Sequence, residues 1–337
     1  MEEKQMLDTL KKFIYAFGVS GCEGEISSVI RKEIAPYVDE VYTDAMGNLI
    51  AHKKGADKNA KKLMFAAHMD EIGFMASYID EHGYIRVTKI GGINFVAASF
   101  MTVEFANGTK GVLVPEARVG AKDYRPEVFY VDIGAKDKAE AEKHVKIGDW
   151  CRVCPALNEL CGSRVSGRPI DNRIGCYILA EAARTMKKCE NDTYFVFTVQ
   201  EEVGVRGAKT SAFSVRPDYA VAADIGGAGD IINCAPFDVV LGKGIAVKLK
   251  DGMVICHAKM IALMDRLAKE RKIPVQHEIL ESGGTDTCML QQAAGGCIAG
   301  AISIPTRFGH SGVELIDMDD VEGGVKLLAA MCETKLD

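Results

Sequence analysis

Residues 61–70 read Lys-Lys-Leu-Met-Phe-Ala-Ala-His-Met-Asp: an apolar run, Leu63 to Ala67, between two lysines and a polar end at His68 and Asp70. Such a run suits a central strand buried on both faces, which does not alternate with polar residues. On its N-terminal side, Glu3 to Phe17 and Gly24 to Val38 carry apolar residues at helical spacing and predict two amphipathic helices. Asn48-Leu49-Ile50 opens a different element. Far along the chain the alternation of strand and helix resumes. Asp171 to Lys188 predicts a helix, and Tyr194 to Val199 and Tyr219 to Ala223 predict buried strands. Cys256, Met260, Leu263 and Leu267 predict one apolar helical face. Val275 to Leu280 and Cys297 to Ile304 predict further strands, and Val321 to Met331 a closing helix. The expected class is α/β, a mixed central sheet flanked by helices.

Between these parts the texture changes. Tyr84 to Ile90, Phe100 to Phe105 and Val128 to Val131 are short alternating segments punctuated by Gly73, Gly83, Gly91, Gly92, Gly108 and Gly111, with one helix-like stretch at Lys136 to Val145. A small β-rich domain is therefore expected at 71–163, inserted into an α/β domain made of 1–70 and 164–337. Its edge strands offer a means of self-association.

The 337 residues are 48% hydrophobic and 26% charged, which excludes disorder, and the net charge of −6 predicts no attraction to nucleic acid or to anionic membranes. The longest strongly apolar run, 297–304, falls far short of the roughly 20 residues of a membrane span. Met1 to Gln5 is charged from the second residue and lacks the form of a signal peptide, so a cytoplasmic protein is expected. The eleven cysteines, an odd number, are read as thiols.

Acids and histidines gather just past the apolar runs. Leu63 to Ala67 leads to His68 and Asp70, Phe195 to Gln200 to Glu201 and Glu202, Ala220 to Ala223 to Asp224, and Cys297 to Ile304 to His310; Asp171 stands at the start of its helix. In an open α/β sheet these positions converge on the crevice outside the carboxyl ends of the strands. Several carboxylates around two imidazoles repel one another unless cations join them. Oxygen and nitrogen donors without thiolate suit zinc, manganese or cobalt, and the donors outnumber one tetrahedral site. Two divalent ions account for the number.

The segments His68-Met69-Asp70, Asp171-Asn172-Arg173, Val199-Gln200-Glu201-Glu202-Val203-Gly204, Ala223-Asp224 and His310 resemble, in order and context, those of the tetrahedral-aminopeptidase family. That family of cocatalytic metallo-exopeptidases includes glutamyl aminopeptidases and so-called cellulase M proteins. The resemblance implies that His68, Asp171 and Asp224 bind one metal and that Asp171, Glu202 and His310 bind the other, with Asp171 as the bridge. It also implies that Glu201 is the general base that takes a proton from a water shared by the two ions, leaving a bridging hydroxide, and that Asp70 orients the His68 imidazole. Short peptides are the implied substrates. A dimerisation domain and a dodecamer are implied partners of the same chain.

Other readings are weaker. Glycosidase acids flank a sugar about 5 to 9.5 Å apart, which the neighbours Glu201 and Glu202 do not naturally do. A metal-stabilised assembly or binding protein is motivated only by the inserted domain. Cys151 and Cys154, with Cys161 nearby, lack a second pair to complete a zinc site. Ser282 to Asp286 reads as a tight turn lining the crevice, with Asp286 a lesser candidate. His52, His82, His144, His257 and His277 have no comparable neighbourhood.

Overall fold

The computed structural model describes residues 3–235 and 237–337; Met1 and Glu2, part of the charged start, lie outside the described residues. In chain order, α1 (Glu3–Tyr15) and α2 (Gly24–Ile34) precede β1 (Glu40–Thr43), β2 (Leu49–Lys53) and β3 (Lys62–His68). Next come β4 (Gly73–Ile79), β5 (Ile85–Ile90), α3 (Phe95–Ala98), β6 (Met101–Phe105), β7 (Lys110–Pro115), β8 (Phe129–Asp132), α4 (Lys138–Ala141) and β9 (Trp150–Val153). Beyond them lie β10 (Ala156–Glu159), β11 (Arg164–Arg168), α5 (Arg173–Thr185), β12 (Asp192–Thr198), α6 (Arg206–Val215) and β13 (Tyr219–Gly227). The chain closes with β14 (Ile245–Lys250), α7 (Ala258–Arg271), β15 (Val275–Ile279), α8 (Thr287–Gln291), β16 (Ile298–Thr306), β17 (Glu314–Asp317) and α9 (Met318–Cys332).

Eight strands form the central sheet in the order β1-β2-β12-β3-β13-β16-β14-β15. Its middle is parallel, β12 to β3 to β13 to β16, and antiparallel pairs β2/β12 and β14/β16 flank it, so the sheet is mixed as expected. The apolar run of β3 alternates between two cores. Leu63, Phe65 and Ala67 pack under α1, α2, α5, α7 and α9, whereas Met64 and Ala66 pack under α6 and α8. Phe65 is fully buried against Phe195, ring centroids 5.5 Å apart. Phe65→Ala is expected to cost about 3–5 kcal/mol of stability, read from the urea midpoint.

The inserted β-rich unit is a closed barrel in the order β4-β5-β8-β7-β6-β9, filled by Phe74, Phe105 and Phe129. Closure corrects the expectation of free edge strands, because every barrel strand is paired on both sides. Val96, Phe100 and Ile147 are exposed on the surface of this unit. β10 pairs with β11, which pairs with β17, in a separate three-stranded sheet.

Two buried arginines lock the barrel to the rest. Arg173, from α5, donates to the carbonyls of Met69, Phe13 and Ala16 and, at 3.2 Å, to Glu71 Oε1. Arg152, from β9, donates to the carbonyls of Tyr15 and Ala16, to the same Glu71 Oε1 at 3.4 Å and to Glu104 Oε2 at 3.0 Å. One carboxylate between two guanidinium groups thus joins α1, α5 and the barrel through charge-assisted hydrogen bonds.

Several expected boundaries move for local reasons. The helix expected from Asp171 starts at Arg173, because the Asn172 side chain caps it by accepting from Gly175 N. Cys256 precedes α7, where His257 is the cap, and packs with Val205, Val254 and Cys288 instead. The stretch 136–145 holds only the four residues of α4, capped by Asp137. Among the described residues no helix is long and apolar enough to cross a membrane.

Candidate active site

His68 ends β3, and Asp224 lies inside β13, which runs on to Gly227 rather than stopping before the acid. Glu201 and Glu202 follow β12 by a turn. Gln200 there has φ +55°, so the two glutamates leave the strand direction, and it is this turn rather than strand alternation that sends their side chains different ways. His310 follows β16 on a loop where its own φ is +57°. Asp171 precedes the cap of α5, and Asn172 Nδ2 donates to the carbonyl of Ala223 at 2.9 Å, tying Asp171 to the neighbour of Asp224. Gly175 is required here, since a side chain would strike both Asn172 Oδ1 and the Ala223 carbonyl.

The nominated groups converge in an open cleft of about 400 Å³ lined by His68, Asp171, Glu201, Glu202, Asp224 and His310. His68 Nε2 lies 3.2 Å from Asp171 Oδ1 and 3.6 Å from Asp224 Oδ1. On the other side of Asp171, its Oδ2 lies 3.1 Å from His310 Nε2, which is 3.5 Å from Glu202 Oε1. Among the described residues two trios, His68-Asp171-Asp224 and Asp171-Glu202-His310, each bring three ligand atoms within 4.8 Å of one another. Asp171 belongs to both. Glu201 belongs to neither, with Oε2 3.9 Å from His68 Nε2.

The electrostatics are those of a site short of positive charge. Burial alone would lower the His68 pKa, yet Asp224, Asp171 and Asp70 hold it well above the usual value. The His310 imidazole is raised to about 9, chiefly by Asp171. Burial pushes Glu202 up to about 8, with Asp171 adding to it, and raises Glu201 and Asp224. Asp171 goes the other way, against its burial, because His310 and His68 both hold its carboxylate charged. Among the described residues the buried atoms Asp171 Oδ1 and Glu202 Oε1 have no hydrogen-bond partner. Unpartnered carboxylate oxygens in two imidazole-carboxylate trios fit divalent cations.

Asp70 differs in detail from its expected part. The acceptor 3.1 Å from His68 Nδ1 is the Asp70 backbone carbonyl; the carboxylate is 3.6 Å away. A carbonyl only accepts, so Nδ1 carries the hydrogen and Nε2 faces the cleft. The carboxylate instead accepts from Glu201 N at 3.0 Å, Glu202 N at 3.3 Å and the Ser20 hydroxyl at 2.6 Å, and so holds the glutamate turn against β3.

Two further acids shape this region. Asp286, the lesser candidate, is fully buried beneath Gly283 to Thr285 and accepts from the Thr198 hydroxyl, and burial raises it to about 7. Glu314 is not among the expected site residues. It is buried and accepts from backbone N–H groups of Ile170, Asp171 and His310; the only signal of it in the sequence is an acid four residues past His310. The barrel also reaches the site, since a side chain at Gly92 would stand 3.0 Å from His310 Nδ1. Cys151, Cys154 and Cys161 are free thiols that do not line the cleft, and His52 and His277 pair with Asp192 and Asp265.

Residues 47–327 match the model of the M42 glutamyl aminopeptidases. The lysyl aminopeptidase of Pyrococcus furiosus is 35% identical, over 97% of this chain and 96% of its own. An aminopeptidase of the archaeon Desulfurococcus kamchatkensis superposes with a TM-score of 0.95 at 32% identity, covering 99% of this chain and 96% of that one. The TET1 peptidase of Pyrococcus horikoshii, which can assemble into a tetrahedron or a large octahedral shell, does so with a TM-score of 0.88 at 33% identity, covering 97% and 99%. With this sheet, inserted barrel and converging acids, the chain belongs to the M42 glutamyl aminopeptidase family, the tetrahedral aminopeptidases.

Proposed function

We propose that this aminopeptidase removes N-terminal residues from short peptides with two divalent ions per chain, zinc, cobalt or manganese. The observation that carries the reading is the pair of trios sharing Asp171. His68, Asp171 and Asp224 would hold one ion and Asp171, Glu202 and His310 the other. When bound, such ions lower the pKa of water and polarise the scissile carbonyl. Glu201, left free, takes the proton of the attacking water and passes it to the leaving amine. The His68 imidazole, its tautomer set by the Asp70 carbonyl, presents Nε2 to the cleft. The unit at 71–163 is proposed as the self-association unit of a dimer and of a dodecamer, with the shell-forming relative in support; sedimentation at the size of a single chain would overturn that part.

Chelation is expected to abolish hydrolysis of aminoacyl anilides, and reloading zinc, cobalt or manganese to restore it at two ions per chain. Full anilide hydrolysis by metal-free protein, or oligosaccharide cleavage untouched by chelation, would overturn the reading.

A further inference from the structure

We infer that Glu314 is a positioning residue that sets the spacing between Asp171 and His310, an inference that rests on the two-ion reading above. It is 1% exposed and sits at the start of β17. Oε2 accepts from Ile170 N at 2.7 Å and Asp171 N at 3.0 Å, while Oε1 accepts from His310 N at 2.9 Å. One carboxylate therefore grips the backbones of two metal-site residues that lie far apart in sequence.

The grip matters because it reaches the His310 backbone itself, on an exposed loop whose base is closed by the reciprocal Arg307–Leu315 backbone hydrogen bonds. Phe308, Gly309 and Val313 around it are exposed, and the His310 side chain is 41% exposed. Besides Glu314, Arg168 steadies the loop by donating to the Ser311 carbonyl at 3.1 Å and to the Ile72 carbonyl at 3.0 Å. Asp171 is better fixed, through Asn172 and α5. Loosening the carboxylate thus frees the histidine more than the aspartate.

Glu314→Gln makes this testable. The amide keeps one acceptor oxygen, which satisfies more donors when turned toward Ile170 N and Asp171 N; its NH2 then meets the His310 N–H, donor against donor. On titrating zinc into chelated protein, the expected result is one ion bound as in the wild type and one bound about 10- to 100-fold more weakly, with kcat recovering at high zinc. Two ions held with wild-type affinity, or both weakened alike, would overturn the inference, because a purely structural role predicts one or the other. If the glutamine variant does not fold, Glu314→Asp, too short to reach both backbones, is read in the same way. A wild type that binds no zinc would defeat the two-ion reading alone. The clamp is then judged in metal-free protein by hydrogen exchange: faster exchange over 307–312 in the variant, with 192–198 unchanged, supports it, and equal exchange overturns it.

Discussion

Glu201→Gln is expected to leave both ions in place and to lower kcat about 10²- to 10⁴-fold, the usual contribution of a positioned proton-transfer group. The split follows from geometry. Glu201 lies in the cleft yet outside both trios, and Asp70 Oδ1 holds its backbone N–H at 3.0 Å whatever its side chain carries. Burial, reinforced by Asp224, Asp286 and Glu202, pushes its carboxyl well above the usual range. A bound cation pulls the other way, which leaves a carboxylate able to take a proton near neutral pH. Metal analysis beside steady-state kinetics checks this; turnover within a few-fold of the wild type would remove Glu201 from its role.

Asp171→Ala is expected to cost both ions and to cut kcat/KM by about 10³-fold or more, from the several kcal/mol of charge stabilisation that such ions provide at about 1.4 kcal/mol per factor of ten. Asp171 stands between the imidazoles, 3.2 Å from His68 and 3.1 Å from His310. His310→Ala touches only one trio, so one ion should stay. Isothermal titration with zinc separates the two variants. If Asp171→Ala kept one ion at wild-type affinity, the shared position would be wrong.

How far the sequence can be read depends on where polarity falls. β3 and β12 end apolar runs abruptly, so the hydrophobic pattern alone puts His68, Glu201 and Glu202 at strand ends. β14 escapes that pattern because Lys248 interrupts it: the side chain is buried, paired with Glu278 at 3.1 Å and Asp251 at 3.3 Å, and a charge inside a strand reads as surface. Glu314 is illegible for another reason. Its partners are backbone groups, two of them more than 140 positions away, and main-chain donors leave no residue signature. Asp70 is legible as a neighbour of His68, but which of its oxygens meets the imidazole depends on the turn at Gln200, which spacing does not reveal.

The Glu71 junction makes the insertion hard to excise. A shortened chain lacking 73–153 would lose Arg152 and Glu104, take the arginine donor from the Tyr15 carbonyl, and leave the Ala16 carbonyl and Glu71 with Arg173 alone beneath a newly wetted surface. Severing a buried ionic group in this way costs about 3–5 kcal/mol, a large part of what keeps most domains folded. The barrel is welded to its host, so the two should melt as one cooperative block, and grafting it elsewhere would mean carrying the host's arginine along.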